Sequence, residues 1–124
     1  MEASHIFDLL KQWASLPDHE VEKLVSAENI VILKAVVNLL GDPRTQYIID
    51  DKNFANVVRE MRNLYRDGSR SLGNAIIEGS DWVDQGQPEK AKEVYKKFLE
   101  SCMSKFYRDI AQVQLEKLQS KGSE

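Results

Sequence analysis

Cysteine occurs once in the 124 residues, at position 102, so no internal disulfide can close the chain and its fold must rest on packing. Histidine is nearly as scarce. His5 and His19 fall in different predicted helices, remote in sequence from Cys102, and no closely spaced ligand set for a metal can be assembled from them. Three prolines and six glycines are too few for a low-complexity chain. No apolar run approaches the roughly 18 residues that a membrane span needs. An excess of one charge is missing too: 17 basic residues against 20 acidic ones leave a formal charge of −3, which argues against a dedicated nucleic-acid binder. The opening MEASHIFDLLKQW has neither a basic n-region nor a cleavage site. A cytoplasmic protein without membrane association is therefore expected. G-x-S-x-G, a phosphate-binding glycine loop and H-E-x-x-H are all absent. The expectation is a non-enzymatic chain with no cofactor and no metal.

What remains is a globular composition, 42% apolar and 30% charged, in a chain long enough to bury a real core. Its apolar residues recur at helical spacing. Ile6, Phe7, Leu10 and Trp13 define a first helix, with Ser4 as its expected cap. Pro17 opens a short second one, with Asp18 and Glu20 at the positive end of its dipole. Asn29 to Leu40 is the most hydrophobic segment. Its β-branched residues would suit a strand, but no second strand exists to pair with it, so a largely buried helix capped by Ser26 is expected. Asp42-Pro43 reads as the start of a further short helix through Ile49, with Asp50 and Asp51 closing it or capping the next. Phe54, Val57, Val58, Met61, Leu64 and Tyr65 then mark a long helix, which Gly68 and Gly73 either interrupt or fit for a close crossing.

Another face of that helix carries Arg59, Arg62, Arg66 and Arg70. Such a stripe meets phosphate or an acidic partner, or is simply solvated beside Glu60 and Asp67. The first 51 residues hold nine acids and four bases, the remainder eleven and thirteen. Leu72, Ala75, Ile76, Gly79, Trp82 and Val83 form the next apolar edge. Gly86-Gln87-Pro88 ends it and starts a helix with Ala91, Val94, Tyr95, Phe98 and Leu99 facing inward. Phe106 to Leu118 supplies a covering helix. Asp81 and Asp84 face the same way on their helix and could serve a metal-assisted hydrolase, although solvation explains them equally well. Trp82 is either core or, beside Glu78, Asp81 and Asp84, an aromatic anchor for a partner.

The order Gly79, Trp82, Gly86, Ala91, Tyr95, Phe98 resembles one tetratricopeptide repeat, with Phe98 and Met103 departing from the family's usual small residue and proline. A repeat array needs about three units, and no second copy is present. The segments WASLPDHEVEKLV, DPRT, RDGSR, VDQGQPEKAKEVYKKFL and FYRDIAQVQLEKL are similar in order and spacing to the DUSAM-type domain of myxobacteria. That resemblance implies a bacterial origin and a single domain, and carries no biochemical activity with it.

The expected architecture is all-α: a compact single-domain bundle of five to seven helices over residues 1–124, with a C-terminal tetratricopeptide-like hairpin plus a covering helix. Residues 4–51 would form the N-terminal helices, 52–120 the long helix and the hairpin, and 121–124 a disordered tail. The expected function is binding to another protein. Its most concrete form is an immunity- or antitoxin-type protein that blocks a cognate toxin, for instance a nuclease, through Asp50, Asp51, Glu78, Asp81, Trp82 and Asp84. The alternatives are a tetratricopeptide-like adaptor or self-assembling scaffold, and a nucleic-acid-linked regulator using the four arginines. Oligomeric state is not legible.

Overall fold

The computed structural model describes residues 2–122. Six helices follow one another: α1 (Ala3–Ala14), α2 (Asp18–Glu22), α3 (Ala27–Leu40), α4 (Phe54–Asp84), α5 (Pro88–Ser101) and α6 (Lys105–Gly122). No strand occurs among the described residues, and the fold is all-α as expected. None of these helices is long and apolar enough to cross a membrane. The chain divides into two compact units, Met1–Arg66 and Asp67–Glu124, with the boundary inside α4. Helix α6 continues to Gly122, past the expected end at 120, and the rest of the expected tail lies outside the described residues.

In the first unit the α1 stripe behaves as its periodicity predicts. Ile6, Phe7, Leu10 and Trp13 are buried, Trp13 against Phe54 with ring centroids 5.7 Å apart and Phe7 against Tyr65 at 5.0 Å. The helix begins one residue before Ser4, after Glu2, and no side chain caps it. Ser26 does cap α3, its Oγ accepting the Asn29 N–H at 3.0 Å. Helix α3 is less buried than its hydropathy suggests. Leu33, Val36 and Leu40 face the core, while Val31 is 66% exposed. A three- and four-residue step buries only one line of a helix, whatever the other faces carry.

No helix forms over residues 42–49. The Asp42 carboxylate accepts the Arg44 amide at 2.9 Å and grips its guanidinium, while the Asp42 carbonyl accepts the Thr45 N–H at 3.0 Å. Aspartate followed by proline is thus satisfied as a turn, and the few residues beyond it are too short a run to overcome helix nucleation. The Asn53 side chain then takes the Ile48 carbonyl and the Asp50 N–H, and Asp50 returns the favour by accepting the Lys52 and Asn53 amides. That exchange orders the turn that leads into α4.

In the second unit α4 runs without a break through Gly68 and Gly73. At Gly68 it meets the buried Tyr107 of α6, whose hydroxyl lies 2.8 Å from the Ser69 Oγ. The glycine therefore marks a close crossing. Helix α4 ends in a Schellman-type closure: the Gly86 and Gln87 amides donate to the Val83 and Trp82 carbonyls, with Gly86 at φ 74°, a conformation glycine adopts without strain. Pro88 follows as the first residue of α5. Ala91, Tyr95 and Phe98 of α5 pack with Tyr107, Ala111 and Leu115 of α6 to form this unit's core.

Candidate functional site: an open furrow between α4 and α5

Two joints account for arginines that sequence reasoning leaves on the surface or overlooks. Arg59 donates to the carbonyls of Ala14 and Leu16 at the end of α1 and to Asp18 Oδ1 at 3.0 Å, at the start of α2. It is the clamp of the α1–α2 turn rather than a member of an outward-facing stripe. Arg108 does the same for α5, donating to the carbonyls of Leu99 and, at 2.8 Å, Cys102. A fork of N–H donors suits helix C-termini, whose last carbonyls have no partner within the helix. Of the remaining stripe, Arg62 is half-buried with its guanidinium 6.0 Å from the Tyr65 ring, and Arg66 and Arg70 are exposed on α4.

The expected acidic surface is also divided. Asp50 is engaged by the Lys52 and Asn53 amides in the turn before α4, and Asp51 is exposed beside it in the first unit. Glu78, Asp81 and Asp84 lie exposed on the last turns of α4 in the second unit. Trp82 stands among them but is half-buried, not core. The Lys90 ammonium rests over its ring at 4.4 Å, a favourable cation–π placement. Groups of three or more metal-ligating side chains do not occur among the described residues, and Asp81 and Asp84 are joined by no third ligand.

Trp82 closes one end of a furrow of about 620 Å³ within the second unit. Its floor is apolar, made by Ala75 of α4 with Val94 and Phe98 of α5. The α4 wall is formed by Ser71, Asn74 and Glu78, and the α5 wall by Lys90, Glu93 and Lys97. The hairpin is drawn together beneath this furrow where Tyr95 lies against Gly79: a Cβ there would stand 2.8 Å from the tyrosine hydroxyl. Burial pushes the Tyr95 phenol above its ordinary range, so it stays neutral and donates no charge to the site. A second, smaller hollow of about 260 Å³ lies between α4 and α6 on the other side of Tyr95, edged by Ile76, Val83 and Leu118. What the furrow offers is an apolar floor with an indole at its end, Glu78 on one rim, and Lys90 and Lys97 on the other with Glu93 between them.

The helical spacing of Trp82 could have revealed its position. It falls on the same edge as Ser71, Asn74 and Glu78, which are polar, rather than on the buried line through Leu72, Ala75 and Gly79.

Residues 18–118 match the model of a family described as a protein of unknown function. No curated protein and no solved structure matches the chain.

Proposed function

The chain belongs to that family, DUF2379, and from this premise we propose that it is a non-enzymatic protein-binding module whose contact surface is the α4–α5 furrow. The observation that carries this reading is Trp82, half-buried at the end of an apolar floor. Tryptophan anchors contribute disproportionately to interfaces, and a groove between helices is a recurrent peptide-recognition device. The tetratricopeptide-like hairpin belongs to the same proposal. Buried Ala91, Tyr95 and Phe98 and the close approach at Gly79 support it, while the half-exposed Trp82 departs from it. Kinship with the DUSAM-type domain of myxobacteria is the finer part of this reading, supported by the order of the segments from Trp13 to Leu118.

A photo-crosslinking amino acid placed at Asn74 tests the proposal in cells of the native host, with the same group at exposed Glu28 as control. A discrete protein adduct from position 74 alone is expected. Equal adducts from both positions, or none from either, would refute the furrow as the contact surface.

One observation favours a second reading, the immunity- or antitoxin-type blocker. Glu78, Asp81 and Asp84 are exposed together beside Ile77, which is 63% exposed, and none of the three carboxylates has an ion-pair partner among the described residues. An unpaired acidic edge speeds association with a basic cleft. On this reading the adduct is a toxin domain, and neutralising the three acids slows its capture in low salt.

A further inference from the structure

The α4–α5 hairpin presents two sides, and α6 occupies one of them. It packs along α5 and meets α4 at Gly68 through Tyr107. The other side is the open furrow. Along its α5 wall Lys90 and Lys97 are seven residues apart, which places them on one side of the helix and about 10 Å apart along its axis. The intervening lysines are already engaged, Lys92 with Glu89 at 2.8 Å and Lys96 with Glu93 at 3.6 Å. Lys90 and Lys97 have no carboxylate partner among the described residues; the Lys90 ammonium lies on the Trp82 ring instead.

We propose that the furrow receives an amphipathic helix of a partner protein, one with an apolar face for Ala75, Val94 and Phe98 and two carboxylates at seven-residue spacing for Lys90 and Lys97. This rests on the protein-binding reading above and names the class of partner. Two physical arguments select it. Both walls are helices whose backbone groups are already paired, so an extended segment lying between them would bury N–H and C=O groups without partners, whereas a helix arrives with its own satisfied. An occupant also takes water away from the lysines. A neutral one would leave that cost uncompensated, while carboxylates opposite them offset it. Seven residues is the repeat at which charges flanking an apolar helix seam face their partners.

The test uses the full chain and two synthetic amphipathic helical peptides with identical apolar faces, bearing either Glu or Lys at two positions seven apart. Binding is read by fluorescence anisotropy of the labelled peptides, and the chain's own mass by light scattering. The Glu peptide is expected to bind at least about ten-fold more tightly than the Lys peptide, with affinity falling as salt rises. The double variant Lys90→Glu/Lys97→Glu, whose changes are on exposed side chains, should keep its circular dichroism and invert the preference. A preference that does not invert overturns the proposal. Equal binding of both peptides, lost in Trp82→Ala, overturns the acidic assignment while leaving the furrow as a protein-binding surface. Binding of neither peptide overturns the helix assignment, and the crosslinking at Asn74 then decides the broader reading. Self-association of the chain that disappears in the double variant identifies the occupant as a second copy and likewise overturns it.

Discussion

A side-chain carbon at Gly68 would stand 2.5 Å from Cδ2 of the Tyr107 ring and closer still to Cε2. This contact explains a glycine in the middle of a 31-residue helix, where its conformational cost relative to alanine is about 1 kcal/mol. Gly73, five residues on, has nothing within 4 Å of the corresponding point. The two positions should respond oppositely to the same substitution. Gly68→Ala is expected to lower stability by roughly 1–3 kcal/mol, the overpacking outweighing the gain in helix propensity. Gly73→Ala should raise it by up to about 1 kcal/mol. Urea unfolding followed by circular dichroism separates them.

Arg59 and Asp18 share one joint but should not share its energetics. Arg59→Met removes donors from two carbonyls as well as from the carboxylate, and is expected to cost roughly 1.5–3 kcal/mol. Asp18→Asn removes one partner whose side chain is 75% exposed, and exposed pairs contribute about 1 kcal/mol at most. Comparable losses for both substitutions would show that the ion pair, rather than the clamp on the α1 carbonyls, holds the turn.

The Asp42 carboxyl is held down from an ordinary 3.8 to about 2, first by the side-chain hydrogen bond from Arg44 and then by the Arg44 amide. A depressed carboxyl pKa stabilises the fold above the unfolded value, and that contribution disappears as pH falls through the folded one. The window is therefore from about pH 4 down to about pH 2. A carbon-detected NMR titration should place the Asp42 midpoint near the lower limit, and Arg44→Ala should return it towards the ordinary range. Tyr95 gives the opposite sign: its raised phenol pKa means that the unfolded chain ionises first, so stability declines as pH rises past about 10. Absorbance at alkaline pH should show Tyr95 titrating late together with Tyr47, whose phenol is also raised by burial, and Tyr95→Phe should remove part of that late change.

Leu33 and Val31 lie two residues apart in α3 and face opposite ways. Leu33→Ala empties a fully buried site and is expected to cost about 2–5 kcal/mol. Val31→Ser, on the exposed face, should change stability by no more than about 0.5 kcal/mol. Thermal melts of the two variants would show whether the segment is buried on one line or all round.

Much of this helical plan is legible in the sequence, because periodicity is a short-range property. The α1 stripe from Ile6 to Trp13 and the Gly86–Pro88 reversal follow from spacing and turn chemistry alone. Where the sequence misleads, a second partner decides. Asp42-Pro43 satisfies a helix start and a turn equally well; the Arg44 guanidinium favours the turn, and Tyr47 continues away from it, its hydroxyl reaching Glu60. Arg59 has the spacing of a surface stripe, yet its carbonyl acceptors lie more than forty residues earlier. Arg108 carries no pattern that would single it out. For the furrow, polar Ser71, Asn74 and Glu78 on the Trp82 edge are readable, but the pairing of Lys92 and Lys96 that leaves Lys90 and Lys97 over is a matter of rotamers.

The guanidinium clamps have a consequence for how the chain meets changes of acidity. Where Arg59 grips α1 and Arg108 grips α5, the bonds run from guanidinium N–H donors to peptide carbonyls, which carry no titratable proton. Losing Asp18 from the first joint would leave the carbonyls of Ala14 and Leu16 still held. The two helix ends are fastened through acceptors that do not themselves titrate. Acid sensitivity lies instead with carboxylates such as Asp42, in the stretch between α3 and α4, whose contribution falls away only as pH drops towards about 2.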